Sequence, residues 1–148
     1  MALPPLTDTG ELPPGVHSAH LPEVLGRFGV GSAQRQAVAL RLARIYQAAE
    51  ASGHLARFVI FGSFVTAKPE PADVDVFLLM EDALDASRLA GEARILFDHP
   101  AAQAWFGASV FWLRRLAALE GEVATIEQWR VKRDGNLRGI IEIVPEAS

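Results

Sequence analysis

The 148-residue chain has no cysteine, one tyrosine, two methionines, no excess of basic residues and no long uninterrupted apolar run. Without thiols it has neither a disulfide framework nor a thiolate nucleophile, and the usual cysteine ligands of a structural zinc site are missing. Its four histidines do not replace them. His17 and His20 are three apart and His99 follows Asp98, too few ligands in any one place, so they read as structural or capping residues. No apolar stretch approaches the roughly 20 residues that a membrane-spanning helix needs. The amino-terminal MALPPLTDTGELPPG lacks the basic start and apolar centre of a secretory leader, which makes the cytoplasm the expected compartment. A formal net charge of −4 argues against a protein that coats nucleic acid.

Half of the residues are apolar, enough for one sizeable core. Residues 1–15, with four of the nine prolines, read as an extended or mobile arm, and residues 16–148 as a single domain. Pro22 suits the first turn of a short helix ending at Phe28. Ser32 caps a longer helix running to about Gly53, with Val38, Leu42, Ile45, Tyr46 and Ala49 as its buried stripe. Strands are expected at 57–61, 74–80, 108–113 and 140–144, and helices at 84–97 and 116–129, with Asp134, Gly135 and Asn136 as a turn. This pattern predicts an α/β protein of the α+β kind, a mixed sheet flanked by helices. Trp105, Trp112 and Trp129 read as core or dimer surface, so a homodimer is one expectation.

The chemistry concentrates between the first two predicted strands. Gly62 and Ser63 leave the tip of RFVIF, and Asp73 and Asp75 open the run VDVFLLM. Alternate residues of a strand share a face, so the two aspartates are expected to point the same way. Carboxylates aimed at one point repel unless a cation lies between them, and Mg²⁺ is the natural occupant because it takes carboxylate oxygens and completes its shell with phosphates and water. Gly62 permits close backbone approach, Ser63 adds a hydroxyl, and one helical turn at 64–67 offers N–H groups to phosphate oxygens before Pro69 and Pro71 end it. Lys68 supplies a cation to the same loop. A Walker phosphate loop fits poorly, since the second glycine and the Ser or Thr after the lysine are absent.

The segment FGSFVTAKPEPADVDVFLL resembles the nucleotidyltransferase superfamily, the DNA polymerase beta-like fold. That resemblance implies a minimal nucleotidyltransferase fold, a nucleoside triphosphate held by Gly62, Ser63 and Lys68, Mg²⁺ held by the catalytic pair Asp73 and Asp75, and a third carboxylate on a later strand. LPPGVHSAHLPEVLGRFG, FDHPAAQAWFG and RDGNLRGIIEIV extend it along nearly the whole chain, toward a bacterial and phage-borne family of small nucleotidyltransferase-like proteins of largely unassigned function.

The chain departs from the superfamily pattern at one position. An aspartate is expected in FG-x-D-x-F, and this sequence reads FGASVFWL, with Ser109 in that place. A serine cannot supply the charge of a third ligand or base, so Mg-nucleotide binding could survive where transfer is slow or absent, unless Asp98, Glu142 or a partner protein contributes an acid. Two classes of function follow. An enzyme would transfer a nucleoside monophosphate to a hydroxyl of a protein, RNA or small molecule and release pyrophosphate. A non-catalytic module would keep the fold for binding, as a partner protein in a toxin–antitoxin or phage-defence pair. Arg114, Arg115, Arg130, Lys132, Arg133 and Arg138 read either as a solvated face or as phosphate contacts.

Overall fold

Alternation of large apolar side chains, with turn residues between, builds five strands, and the computed structural model describes them within residues 3–145. They are β1 (Gly15–Ala19), β2 (Leu55–Phe61), β3 (Asp75–Met80), β4 (Ser109–Arg114) and β5 (Gly139–Ile143). The helices are α1 (Leu21–Phe28), α2 (Ala33–Ala51), α3 (Gly91–Ile95), α4 (His99–Phe106) and α5 (Glu122–Glu127). The sheet order is β1-β5-β2-β3-β4, with parallel pairs at both edges and antiparallel pairs in the centre. The fold is therefore α+β with a mixed sheet, as its alternation predicts.

The period of two divides the core between two faces. Phe58, Ile60, Val76, Leu78, Val110 and Ile141 point toward Val24, Val38, Leu42, Ile45 and Phe106 of α1, α2 and α4. Val59, Phe61, Phe77, Leu79 and Ile140 form the other face and are buried with Ile126, with Trp129 packed against them. Asp75, Ser109 and Phe111 alternate in phase with this second face. At its end Asp75 and Ser109 are half-buried and Phe111 is exposed.

Local signals account for several boundaries. Ser32 accepts a hydrogen bond from the Arg35 N–H at 3.0 Å and starts α2 where expected. The helix expected over 84–97 is broken. The Asp85 side chain accepts from the Ser87 N–H and holds a 3₁₀ turn at Ala86–Arg88, Gly91 takes φ +62° where α3 begins, and Asp98 then caps α4, with Pro100 in its first turn. The helix expected over 116–129 is likewise reduced to α5 between two 3₁₀ turns, because Gly121 adopts φ +95° immediately before it.

Strand β1 lies inside the segment first read as arm and unassigned sequence, and it gains its hydrogen bonds only from β5. Residues 3–14 carry no helix or strand but pack against the domain. Leu12 is buried, and the Ala67 N–H donates to the Gly10 carbonyl at 2.8 Å. The close approach requires Gly139, where a Cβ would fall 2.5 Å from Leu12 Cβ and overlap the Pro13 carbonyl oxygen. Residues 1, 2 and 146–148 of the two expected units lie outside the described residues.

Arg35, on the first turn of α2, reaches under the segment joining β2 to β3. Its guanidinium donates to the carbonyls of Phe28 at 3.0 Å, Phe64 at 2.9 Å, Thr66 at 2.7 Å and also Lys68. Gln34 donates to the carbonyls of Pro71 and Ala72 at 2.9 and 3.2 Å, farther along the same segment. Truncating a buried donor leaves its acceptors unsatisfied, so Arg35→Ala is expected to lower unfolding stability by about 2–4 kcal/mol. Urea denaturation would measure it. A loss no larger than that of an exposed control such as Arg94→Ala would contradict this role for Arg35.

Candidate functional site

Strand β2 ends at Phe61, and the chain turns at Gly62 with φ +87° and ψ −166°, a conformation that side chains rarely adopt. A Cβ there would overlap Asp75 Oδ2 outright and lie 3.1 Å from its Cγ. Glycine is thus required both by the backbone and by the carboxylate beside it. Ser63–Val65 then forms a single 3₁₀ turn, shorter than the helical turn expected over 64–67. The Thr66 hydroxyl donates to the Ser63 carbonyl at 2.6 Å, and the Lys68 N–H donates to that hydroxyl at 3.2 Å.

Asp73 and Asp75 are not two residues of one strand, as their spacing suggested. Strand β3 begins at Asp75, and Asp73 belongs to the irregular segment before it, downstream of Pro69 and Pro71. Asp73 nevertheless stays near enough to act on Asp75 electrostatically. Burial first, and then the Asp73 charge, push the Asp75 carboxyl up to about 6, against the opposing influence of Arg138, Ser109 and Arg133. Ser109 lies directly opposite Asp75 in the parallel β3–β4 register, where its hydroxyl favours the ionised carboxylate as a hydrogen-bond partner.

Neither of the other acids considered for this site comes from a position that serves it. Asp98 caps α4 through a bond from the Ala101 N–H at 3.1 Å. Glu142 accepts two bonds from Arg57, at 2.7 and 2.5 Å, two strands away from β3. His17, His20 and His99 each contact a backbone carbonyl, those of Pro13, Val144 and Val110. Among the described residues no cluster of three or more His, Asp or Glu has metal-ligating geometry.

Two clefts meet at the Gly62–Asp75 contact. One, of about 490 Å³, runs between the loop residues Gly62, Ser63 and Lys68 and the arm residues Gly10 and Glu11. The other, of about 480 Å³, is lined by Asp75, Ser109, Phe111, Trp129 and Arg133. Lys132 and Arg138 border both. Lys132 bonds Glu11 at 3.0 Å, so the arm places a carboxylate in the first cleft. Arg138 donates to the Trp129 carbonyl at 2.8 Å and lies 4.7 Å over the Phe61 ring, and its burial lowers its pKa against the charges of Asp75 and Glu11.

Sequence reasoning singled out Gly62, Ser63, Lys68, Asp73, Asp75 and Ser109; the fold places Gly62, Ser63 and Lys68 on the first cleft and Asp75 and Ser109 on the second, while Asp73 lines neither and acts on Asp75 through its charge. It missed Glu11, Phe111 and the supporting Arg35. A stretched Pro-rich arm gives no sign of folding back, and a single arginine in a helix pattern does not announce four carbonyl partners. The model of a family described as "Family of unknown function (DUF6932)" matches residues 4–144. The chain belongs to this family. The match includes the arm, so Glu11 and the loop it faces lie within one family unit. No curated protein and no solved structure matches the chain.

The raised Asp75 pKa has a definite sign. Its folded-state value exceeds its ordinary one, so its contribution to stability is fully present at low pH and is lost as pH rises from about 4 through about 6. At about 1.4 kcal/mol per unit this fall is capped near 3 kcal/mol. Other acids, such as Asp85 and Asp134, are shifted downward and act in the opposite sense. The difference between wild type and Asp75→Asn in urea titrations with chelator isolates the effect: the variant is expected to gain on wild type across that window. Parallel curves would mean that Asp75 is not held in a desolvated, acid-crowded place.

Proposed function

We propose that this protein binds a nucleoside triphosphate together with Mg²⁺, in the manner of nucleotidyltransferase-like proteins, and works in the cytoplasm. One observation carries the reading: Gly62 sits at positive φ directly against Asp75, which joins a glycine–serine turn and a carboxylate pair into one site. Nothing about core packing calls for a raised-pKa aspartate beside a second acid. A bound divalent cation would relieve that crowding.

The residues present fit one such ion better than two. Asp73 and Asp75 offer two carboxylates, which suits Mg²⁺ that completes its shell with phosphate oxygens and water. When bound, the ion would supply charge neutralisation to the phosphates. Ser63 and the backbone beyond Gly62 would receive the phosphate chain, with Lys68 as a further cation at the loop. Lys132 and Arg138 would balance charge from the opposite wall, once Lys132 exchanges Glu11 for phosphate. Among the described residues no helix is long and apolar enough to cross a membrane, which is compatible with this compartment.

For transfer, an acceptor oxygen would form a bond to the α-phosphorus, the bond to the β-phosphate would break, and pyrophosphate would leave. The acceptor hydroxyl would be that of a protein, RNA or small molecule, and its proton needs a base. Ser109, opposite Asp75, is uncharged and a poor proton acceptor at neutral pH. That single position favours a second reading, a binding or partner module with weak or absent transfer, as one half of a protein pair.

Calorimetry with ATP or GTP tests the binding common to both readings. Tighter binding with Mg²⁺ than without is expected, and Asp75→Ala should remove the difference. A wild-type protein indifferent to Mg²⁺ with both nucleotides would defeat the proposal. In the same assay Glu11→Gln, which removes the charge competing for Lys132, is expected to tighten Mg-nucleotide binding by roughly threefold to tenfold, the range of a partly exposed ion pair. Unchanged or weaker binding would show that Glu11 does not compete with phosphate. To separate enzyme from module, Ser109→Asp should raise self-labelling by α-labelled nucleotide above wild type if only the third acid is missing. No gain, with Mg-nucleotide binding retained, would favour the module.

A further inference from the structure

The cleft on the far side of Asp75 has a wall that its structural duties do not explain. Trp129 stacks on Phe61 with ring centroids 4.8 Å apart, and Phe111 continues the array between Trp129, at 5.2 Å, and the His99 ring, at 5.0 Å. A core would bury such an array completely. Here Phe111 remains 37 % exposed, at the mouth of the 480 Å³ cleft. The aromatic wall stands beside Ser109 and Asp75, at the end of the sheet face that Ile126 and Trp129 cover.

Positive charge faces this wall. The Lys132 N–H donates to the Asn136 carbonyl at 2.8 Å and the Arg138 N–H to the Arg130 carbonyl at 2.7 Å, and Val131 bridges Leu137, so residues 131–137 form a tight hairpin. That hairpin presents Lys132, Arg133 and Arg138 along the cleft, in a chain whose net charge is −4. Glu11 engages Lys132, and Arg138 is tied to the Trp129 carbonyl. Arg133 has no ion-pair partner within 4 Å among the described residues, and it is exposed. A flat apolar surface flanked by an unpaired guanidinium matches a ligand that is planar at one end and anionic at the other.

We propose that this second cleft binds a nucleobase and its attached phosphate, the ring lying against Phe111 and the phosphate meeting Arg133. The cavity's volume is enough for one nucleotide. The assignment rests on the nucleotide reading of the Gly62 and Asp75 site, to which the cleft is joined. The base belongs either to the same triphosphate whose phosphates lie along the loop or to a separate nucleotide that offers the acceptor hydroxyl.

The full-length protein is titrated calorimetrically with each of the four ribonucleoside monophosphates without metal, and separately with inorganic tripolyphosphate and Mg²⁺. At least one monophosphate should bind. Phe111→Leu, which keeps an apolar side chain but removes the flat ring, should weaken it about tenfold, the scale of one base stacked on an aromatic residue. Arg133→Gln should weaken it severalfold and flatten its salt dependence. Lys68→Ala should weaken tripolyphosphate binding. A monophosphate that binds undiminished beside saturating tripolyphosphate assigns the cleft to a second nucleotide, and mutual exclusion assigns it to the base of the first. The inference is overturned if tripolyphosphate binds with Mg²⁺ while no monophosphate does, or if Phe111→Leu and Arg133→Gln both leave monophosphate affinity intact. Failure of tripolyphosphate itself to bind would instead remove the nucleotide function.

Discussion

The buried guanidinium of Arg35 is the constraint on which the candidate site depends. A positive charge removed from water is costly unless its donors are satisfied, and here they are satisfied by backbone carbonyls, with no carboxylate partner among the described residues. Three of those carbonyls belong to Phe64, Thr66 and Lys68, among the ten residues between Gly62 and Asp73. The long α2 helix thereby holds a segment that has only one 3₁₀ turn of its own. Gln34, bonded to the Pro71 and Ala72 carbonyls, and the Ala67 N–H, bonded to the Gly10 carbonyl, fix the same segment alongside Arg35.

Electrostatics at this end of the sheet is arranged against the balance of the whole chain. The molecule is net acidic, yet Lys132, Arg133 and Arg138 gather around Asp75, and Arg35 lies beneath the loop. The charges of Arg138 and Arg133 lower the Asp75 pKa, and burial together with Asp73 outweighs them. The result is a carboxylate under tension between desolvation and neighbouring cations, a state that proteins concentrate at functional sites. Ser109 enters this balance as a neutral hydrogen-bond partner where a third acid would have deepened the repulsion.

The amino-terminal segment belongs to the same arrangement. Gly139 lets Leu12 pack against the start of β5, and the Gly10 carbonyl receives the Ala67 N–H, so two elements of the domain meet the arm from either side. Glu11 is carried with it to Lys132. The family match begins at residue 4, which makes the arm part of the family's unit and not an appendage to it. Trp129, meanwhile, acts both as a core residue over Phe61 and Phe77 and as the inner layer of the aromatic wall that ends in Phe111.

What the sequence by itself determined were the features set by neighbours a few residues away. The apolar runs RFVIF and VDVFLLM yielded β2 and β3, Ser32 began α2, and the glycine after Phe61 marked the turn, because each follows from local dihedral preference and composition. The Asp98–Pro100 signal for α4 was equally local, though the sequence pattern assigns no element to residues 98–107. Only tertiary structure decided the rest. Strand β1 exists through β5, more than a hundred residues distant, Asp73 reaches Asp75 from outside the strand, and Arg35, Glu11 and Phe111 acquire their roles from partners on other elements. Those contacts depend on where the chain returns in space, which no short window of residues encodes.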